Sequence, residues 1–209
     1  MNYSDLTSDV MPEVMGCPEP LVERAIRDSV IDFCERGFAY RVENDPVAIP
    51  ANISEIDLEI PTGTRLVRLL TVRYGPKWLT PKTRDDMDAS GFEWTERKGP
   101  PTHYTFMSET TFRVVPYPDT AKPELLYVRF AVAPTREATS FPDDLGQRCY
   151  EIICSGAKAR LMRMPSQAWS NTNMAAAYTQ MFEKGVNKAK LEANNDRIRA
   201  ERQVRMRRI

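Results

Sequence analysis

The chain has 209 residues, 42% of them hydrophobic and 28% charged, which supports a folded core of one large or two small domains and excludes a disordered tail or a membrane-embedded protein. Lysine plus arginine and aspartate plus glutamate both number 29, so a uniformly basic nucleic-acid binder is excluded as well. Sixteen prolines against nine glycines, with His103 as the single histidine, suit short rigid connections and remove the commonest residue of acid–base and metal chemistry.

Residues 1–5 are polar and acidic, with no basic-then-apolar run, and no stretch approaches the roughly 18 apolar residues of a membrane span. The expectation is a protein made in a cytoplasm and retained there or assembled from it. Ser4 is placed to cap a short helix reaching Val14, with Asp5 and Asp9 near its positive end. The break Gly16-Cys17-Pro18-Glu19-Pro20 ends it. From residue 21 to about 38, Val22, Ala25, Ile26, Val30, Phe33 and Cys34 recur three or four apart, which predicts an amphipathic helix with one buried stripe.

Residues 41–140 change to strand grammar. Ile56, Leu58 and Ile60 alternate with Asp57 and Glu59 before Pro61, as in a half-buried strand. Residues 66–74 are rich in β-branched and apolar side chains and stop at Gly75-Pro76. Residues 111–115 stop at Pro116. Residues 125–133 put Leu126, Val128, Phe130 and Val132 on one face and stop at Pro134. Proline punctuates strands without interrupting their ladders. Residues 75–103 read as a long excursion with short strands around Trp78 and Trp94.

Residues 141–209 turn helical again. Asp143 or Asp144 is placed to cap a helix with Leu145, Cys149, Ile152, Ile153, Gly156, Ala157 and Leu161 on its apolar face. Its small residues Ser155, Gly156, Ala157 and Ala159 permit close approach of a neighbour. Met164-Pro165 ends it. A second helix, capped within residues 170–173, is expected to turn Met174, Tyr178, Met181, Phe182 and Val186 inward. It runs on into a polar extension. There the charge balance breaks: residues 197–209 hold six arginines against Glu201, a net of +5, so the rest of the chain is an acidic body.

Few constellations carry chemistry. No glycine-rich phosphate loop, HExxH or GxSxG motif is present. Cys17, Cys34, Cys149 and Cys154 are too scattered for a disulfide scaffold or a zinc site and read as buried thiols on helix faces. Asp86-x-Asp88-x-Ser90-Gly91 opens like a calcium loop, but Arg97 stands where the bidentate glutamate belongs, leaving a solvated acidic turn. An enzyme site around Asp85, Asp86, Asp88 and Glu96 lacks a phosphate cradle. His103 reads as a loop or turn residue. The arginines Arg197, Arg199, Arg202, Arg205, Arg207 and Arg208 point all around an ideal helix, which argues against a membrane-surface helix. Three readings of this arm stand: a solvated terminus, a protein-docking element, or a nucleic-acid contact. Trp78, Trp94 and Trp169 lie outside the strong elements, at positions over-used in interfaces, and Trp169 also suits a staple between two helices.

The helix segment Ala25-Ile26-Arg27-Asp28-Ser29-Val30-Ile31-Asp32-Phe33-Cys34-Glu35-Arg36, followed by Gly37, opens an ordered series of segments that resembles the phage head-to-tail adaptor proteins of the tail tubular A type of short-tailed phages, whose helix reads "alRdaaidFcerT" with Thr where Gly37 stands. Gly99-Pro100-Pro101-Thr102-His103-Tyr104-Thr105 resembles "GxPxxYt", and Pro116-Tyr117-Pro118 and Ala133-Pro134-Thr135 match strand ends. Gly156-Ala157-Lys158-Ala159-Arg160-Leu161 resembles "GAxaRL". Ala168-Trp169-Ser170-Asn171 resembles "pWsn", with Thr172 where a proline often follows. Ala175, Ala176, Tyr178, Phe182, Gly185 and Ala189 match the last helix. The series covers residues 20–190 and leaves the basic extension outside it.

The resemblance implies an α+β fold: a helical bundle from residues 1–40 and 141–190 and an inserted antiparallel β-rich domain at 41–140; the charge run adds an extended basic arm at 191–209, which the resemblance does not cover. The resemblance implies a structural virion protein at the head–tail junction, assembled in the bacterial host cytoplasm, and neither an enzyme nor a holder of cofactor or metal. Its copies would form a dodecameric ring beneath the portal protein, pass genomic DNA without specific binding, and offer a platform to the tail nozzle or next tail component. Beyond the resemblance, the residues themselves suggest that the six arginines of the arm dock on the portal and that Trp78 and Trp94 face the tail component. The alternative from another class is a nucleic-acid-binding accessory protein that uses the arm.

Overall fold

A computed structural model describes residues 1–89, 91–119 and 125–195. The chain divides into two compact units, Met1–Ala39 with Thr139–Ile209, and Tyr40–Ala138. The fold is α+β.

The first unit is helical. Its N-terminal segment is the short helix α1 (Thr7–Val10) between 3₁₀ turns at Tyr3–Leu6 and Met11–Glu13, not one helix from Ser4 to Val14. Pro12 has no N–H for the helical ladder and its ring collides with the carbonyl four residues back. Nor is Ser4 the cap: Asn2 precedes the first turn, and its main-chain N–H donates to Asp5 Oδ2 at 2.8 Å. Tyr3, Leu6, Val10 and Val14 are buried nonetheless.

Helix α2 (Glu19–Gly37) starts with Pro20 in its first turn, where a missing N–H costs nothing. The whole expected stripe is buried, joined by Ser29. The helix stops at Phe38, whose φ of 51° is left-handed. Of the four cysteines, all buried thiols, Cys34 lies on this helix but Cys17 lies in the connection before it rather than on a helix face. Two further helices complete the unit. They are numbered after α3 (Arg84–Ala89), which belongs to the second unit.

Helix α4 (Asp143–Met162) is capped by Pro142, so Asp143 and Asp144 sit inside the first turn, where their charge complements the helix dipole. It bends at Cys149 (φ −115°, ψ 18°). Helix α5 (Thr172–Asn195) is capped by Asn171, whose Oδ1 accepts the Met174 N–H at 3.1 Å. Its buried face is Ala175, Phe182, Val186, Ala189 and Ala193. Met174 and Met181 are 40% and 51% exposed, contrary to expectation. Each sits one residue before a buried position, about 100° around the helix.

The three long helices pack through small residues. A Cβ added at Gly156 would lie 2.6 Å from Phe182 Cδ2 and closer still to Ser29 Oγ, and one at Gly185 would lie 2.5 Å from Ile152 Cγ2. Ser29 Oγ donates to the Ile153 carbonyl at 2.8 Å, where α4 leaves room for it.

The acidic N-terminal segment is tied to α4 and α5 by polar bonds. Lys158 Nζ reaches Glu13 at 2.6 Å, Tyr178 Oη donates to the same carboxylate, and Tyr150 Oη donates to Asp9. Glu13 titrates below the usual carboxylate range, because burial is outweighed by the bonds from Lys158 and Tyr178 and by the Lys158 charge. Tyr150 and Tyr178 are pushed up to about 12, first by these carboxylates and then by burial. A raised tyrosine pKa means each bond contributes fully below the ordinary value of about 10 and is lost as pH rises through the folded-state value. In an alkaline titration of phenolate absorbance, Tyr178→Phe is expected to remove one of the late-titrating groups. If the late phase is unchanged, Tyr178 is not among the late-titrating groups.

The second unit is a pair of sheets. One has strands in the order β1 (Tyr40–Glu43), β9 (Leu125–Pro134), β4 (Thr64–Tyr74), β5 (Lys77–Trp78), with β2 (Val47–Ala48) also paired to β9. The other runs β3 (Glu55–Asp57), β8 (Thr111–Val115), β7 (His103–Phe106), β6 (Thr80–Pro81). Leu69, Val72, Leu126, Val128, Phe130 and Val132 of the first sheet share one buried cluster with Tyr104, Phe112 and Val114 of the second.

Strands β8 and β9 match the expected segments. Strand β9 is central, so its Ala131 and Ala133 are buried as well as the expected face. Four expectations need correction. The strand over 56–60 shrinks to β3, with the Leu58 N–H donating to the Thr110 carbonyl as the last bond toward β8. The sheets are not wholly antiparallel, since β6 and β7 pair in parallel. Trp94 lies in a 3₁₀ turn, Phe92–Thr95, not in a strand. His103 opens β7 rather than standing in a loop.

Candidate interaction surfaces

Trp78 is 66% exposed on the two-residue strand β5. The Arg73 guanidinium of β4 lies 5.9 Å from its ring and 4.0 Å from the Tyr127 ring of β9. A cation over aromatic faces is attracted by their quadrupoles, so the three residues form a pre-ordered aromatic and cationic patch at the sheet's edge. Arg73 and Tyr127 were not legible as partners of Trp78. Tyr127 lies about fifty positions away along the chain and reaches Arg73 only through the β4–β9 register.

Trp94 has a different setting. It is half-buried, its Nε1 donates to Asp88 Oδ1 at 2.7 Å, and the Arg113 guanidinium of β8 lies 5.8 Å from its ring. Trp94 and Trp78 border separate hollows. Lys82 lines both. Trp169 is half-buried in the connection between α4 and α5.

The acidic run at 85–88 serves helix α3 rather than an open turn. Thr83 Oγ1 accepts the Asp86 N–H at 3.1 Å, and Asp86 Oδ2 accepts from Thr83 Oγ1 at 2.7 Å and from its N–H at 3.3 Å. That reciprocal cap holds Asp86 below the usual carboxylate range through the Thr83 bonds. Asp88 is engaged by Trp94. Among the described residues no group of three or more His, Cys, Asp or Glu converges as a metal site. His103 is half-buried, with Nδ1 2.8 Å from Thr102 Oγ1. Burial and then the Lys82 charge lower its pKa below the usual 6.5.

The six arginines of the arm lie outside the described residues. Among the described residues no helix is long and apolar enough to cross a membrane. The surfaces with distinctive chemistry are the aromatic–cationic patch and the edges of the β-sheets. These features suit a structural module that works by contact with other macromolecules.

The chain matches the SU10 adaptor protein family over residues 1–207 and belongs to that family. It is accordingly a phage adaptor, a structural component of the virion. No curated protein matches it.

Proposed function

We propose that copies of this chain form a dodecameric ring beneath the portal, continue the DNA channel, and offer the attachment platform for the tail nozzle or next tail component. The observation that carries this reading is the family match along almost the whole chain. In this scheme residues 1–40 and 141–190 form the ring's helical body and residues 41–140 a β-rich insertion toward the tail. Residues 191–209 form the portal-docking arm, with Arg197, Arg199, Arg202, Arg205, Arg207 and Arg208 as its contacts. Trp78 and Trp94 belong to the tail-facing surface. An acidic body neutralises few phosphates and so lets DNA slide without sticking. The mechanism is assembly, through heterologous contacts that close into a ring.

The test is the mass of the purified protein in solution, alone and mixed with portal rings. A low-mass species that becomes a dodecameric layer only with portal is the expected result, and truncation after Asn195 is expected to abolish that layer. A protein that ignores portal but gains mass with DNA, steeply weakened by salt, would replace this reading with that of a nucleic-acid-binding accessory protein. Truncation without effect on the portal layer would remove the docking role of the arm alone.

A further inference from the structure

The β unit gathers acidic residues near one pair of sheet edges and basic residues near the other, although β1 also carries Arg41, Glu55 is paired with Arg113 of β8, and Asp85, Asp86 and Asp88 of α3 follow the basic run. Between Arg41 and Arg65 the chain holds five acidic residues and no basic one: Glu43, Asp45, Glu55, Asp57 and Glu59. All five are exposed. Between Glu59 and Asp85 it holds six basic residues and no acidic one: Arg65, Arg68, Arg73, Lys77, Lys82 and Arg84. Strand order sends the two runs apart. Strands β1 and β3 are the edge strands on one side of their sheets, whereas β5 and β6 end the other side. With its amide turned so that nitrogen and oxygen exchange places, Asn44 donates to the Glu59 carbonyl and accepts its N–H, each at 3.1 Å, which places Glu43 and Asp45 near Glu59.

The basic side is also an open edge. Strand β4 pairs with β5 only at Arg73 and Tyr74, with the Val72 carbonyl accepting the Leu79 N–H at 2.9 Å just beyond them. Two hollows lie along this edge, one of about 630 Å³ lined by Arg65 and Glu109 and one of about 270 Å³ lined by Arg68, Lys82 and Trp78. The β4 ladder is irregular between Leu66 and Arg68 and again between Leu69 and Thr71. Such bulges make an edge a poor template for an arbitrary regular strand. Selectivity there must come from side-chain charge.

We propose that the basic β4–β5 edge of one copy receives the acidic β1–β3 edge of the next copy, so that the β units add a charge-matched, head-to-tail contact to the ring. A surface with opposite charges on opposite edges is complementary to itself by translation or rotation about a ring axis, not by a two-fold axis. It therefore makes a heterologous contact rather than an isolated dimer. Electrostatic complementarity of this kind fixes neighbour orientation and speeds encounter. The inference rests on the ring reading of the preceding subsection.

The test uses two full-length variants. Glu43→Lys with Glu59→Lys reverses the charge at two positions of the acidic edge, and Arg65→Glu with Arg68→Glu reverses it at two positions of the basic edge. Each alone is expected to lose at least tenfold in copy-to-copy association, read by sedimentation with and without portal rings. An equimolar mixture is expected to regain it at low salt and lose it at high salt, where screening falls to a few ångströms. Recovery on mixing also shows that the single variants were folded. If both variants associate like the unaltered protein, or if mixing restores nothing, the edge contact is wrong and the ring reading stands on the unaltered protein's own result. If the unaltered protein never layers on portal yet the variants associate on mixing, the edge contact survives and the ring reading falls.

Discussion

Replacing Gly156 with valine is expected to destabilise the protein by about 3 kcal/mol, with a lower denaturation midpoint in urea. Overpacking a rigid core commonly costs about 1–3 kcal/mol, and here the neighbours have little room to yield. The added Cβ meets Phe182 Cδ2 at 2.6 Å and Cε2 at 2.8 Å, with Ser29 Oγ nearer. Phe182 is buried and tilted against Phe33, with ring centroids 6.2 Å apart. The Ser29 hydroxyl is held by its bond to Ile153. Gly156→Ala should show the same loss at reduced size. Ser29→Ala alone should cost about 1 kcal/mol through the lost buried bond, yet the double substitution should cost less than the sum, because removing the hydroxyl clears part of the space. Additive costs in that cycle would mean that the two positions do not touch.

Phe130→Ala is expected to cost about 3–5 kcal/mol, the range for emptying an aromatic site in a packed core. Phe130 is fully buried in β9, opposite Val42 of β1 on one side and Leu69 of β4 on the other. Both flanking strands are fixed by their own ladders, so the space cannot collapse by sliding one of them. The denaturation midpoint in urea is the measurement, and a loss below about 1 kcal/mol would show that the sandwich core repacks freely. Phe112→Ala on β8, also fully buried, should fall in the same range. Trp78 makes the contrast: it carries a larger ring but lies at the edge, so its substitution belongs to the class of surface changes that alter stability little.

Much of the local structure was legible in the sequence. Residues 111–115 and the segment from 125 announced themselves by β-branched and apolar runs stopped at Pro116 and at Pro134. The stripe from Val22 to Cys34 predicted α2 because only one face of a period of 3.6 is apolar. Gly156 among small residues predicted the close helix approach. Where reading failed, another local rule or a distant partner prevailed. Pro12 broke the expected first helix into 3₁₀ turns. Met174 and Met181 resemble core residues by type, but Ala175 and Phe182 occupy the face that α4 covers. The 86–91 run looked like an ion loop because it alternates oxygens. Thr83 and Trp94 use Asp86 and Asp88 instead, and neither partner belongs to that motif.

What the sequence determined by itself was the three long helices, the strands that end at Gly75, Pro116 and Pro134, most of their apolar faces, and the ordered segments that resemble an adaptor. Those features depend on residues within a few positions of one another. Only the tertiary structure decided which strand lies beside which, and with it where the charges go. Strand β9 enters between β1 and β4, pairing residue 42 with 130 and residue 69 with 130. Two runs that are adjacent in sequence, acidic up to Glu59 and basic from Arg65, thereby lie on opposite edges of the β unit. Periodicity cannot foresee this, because the choice of neighbour is made by hydrogen bonding and burial across tens of residues, where the chain's own order says nothing about which edge remains open.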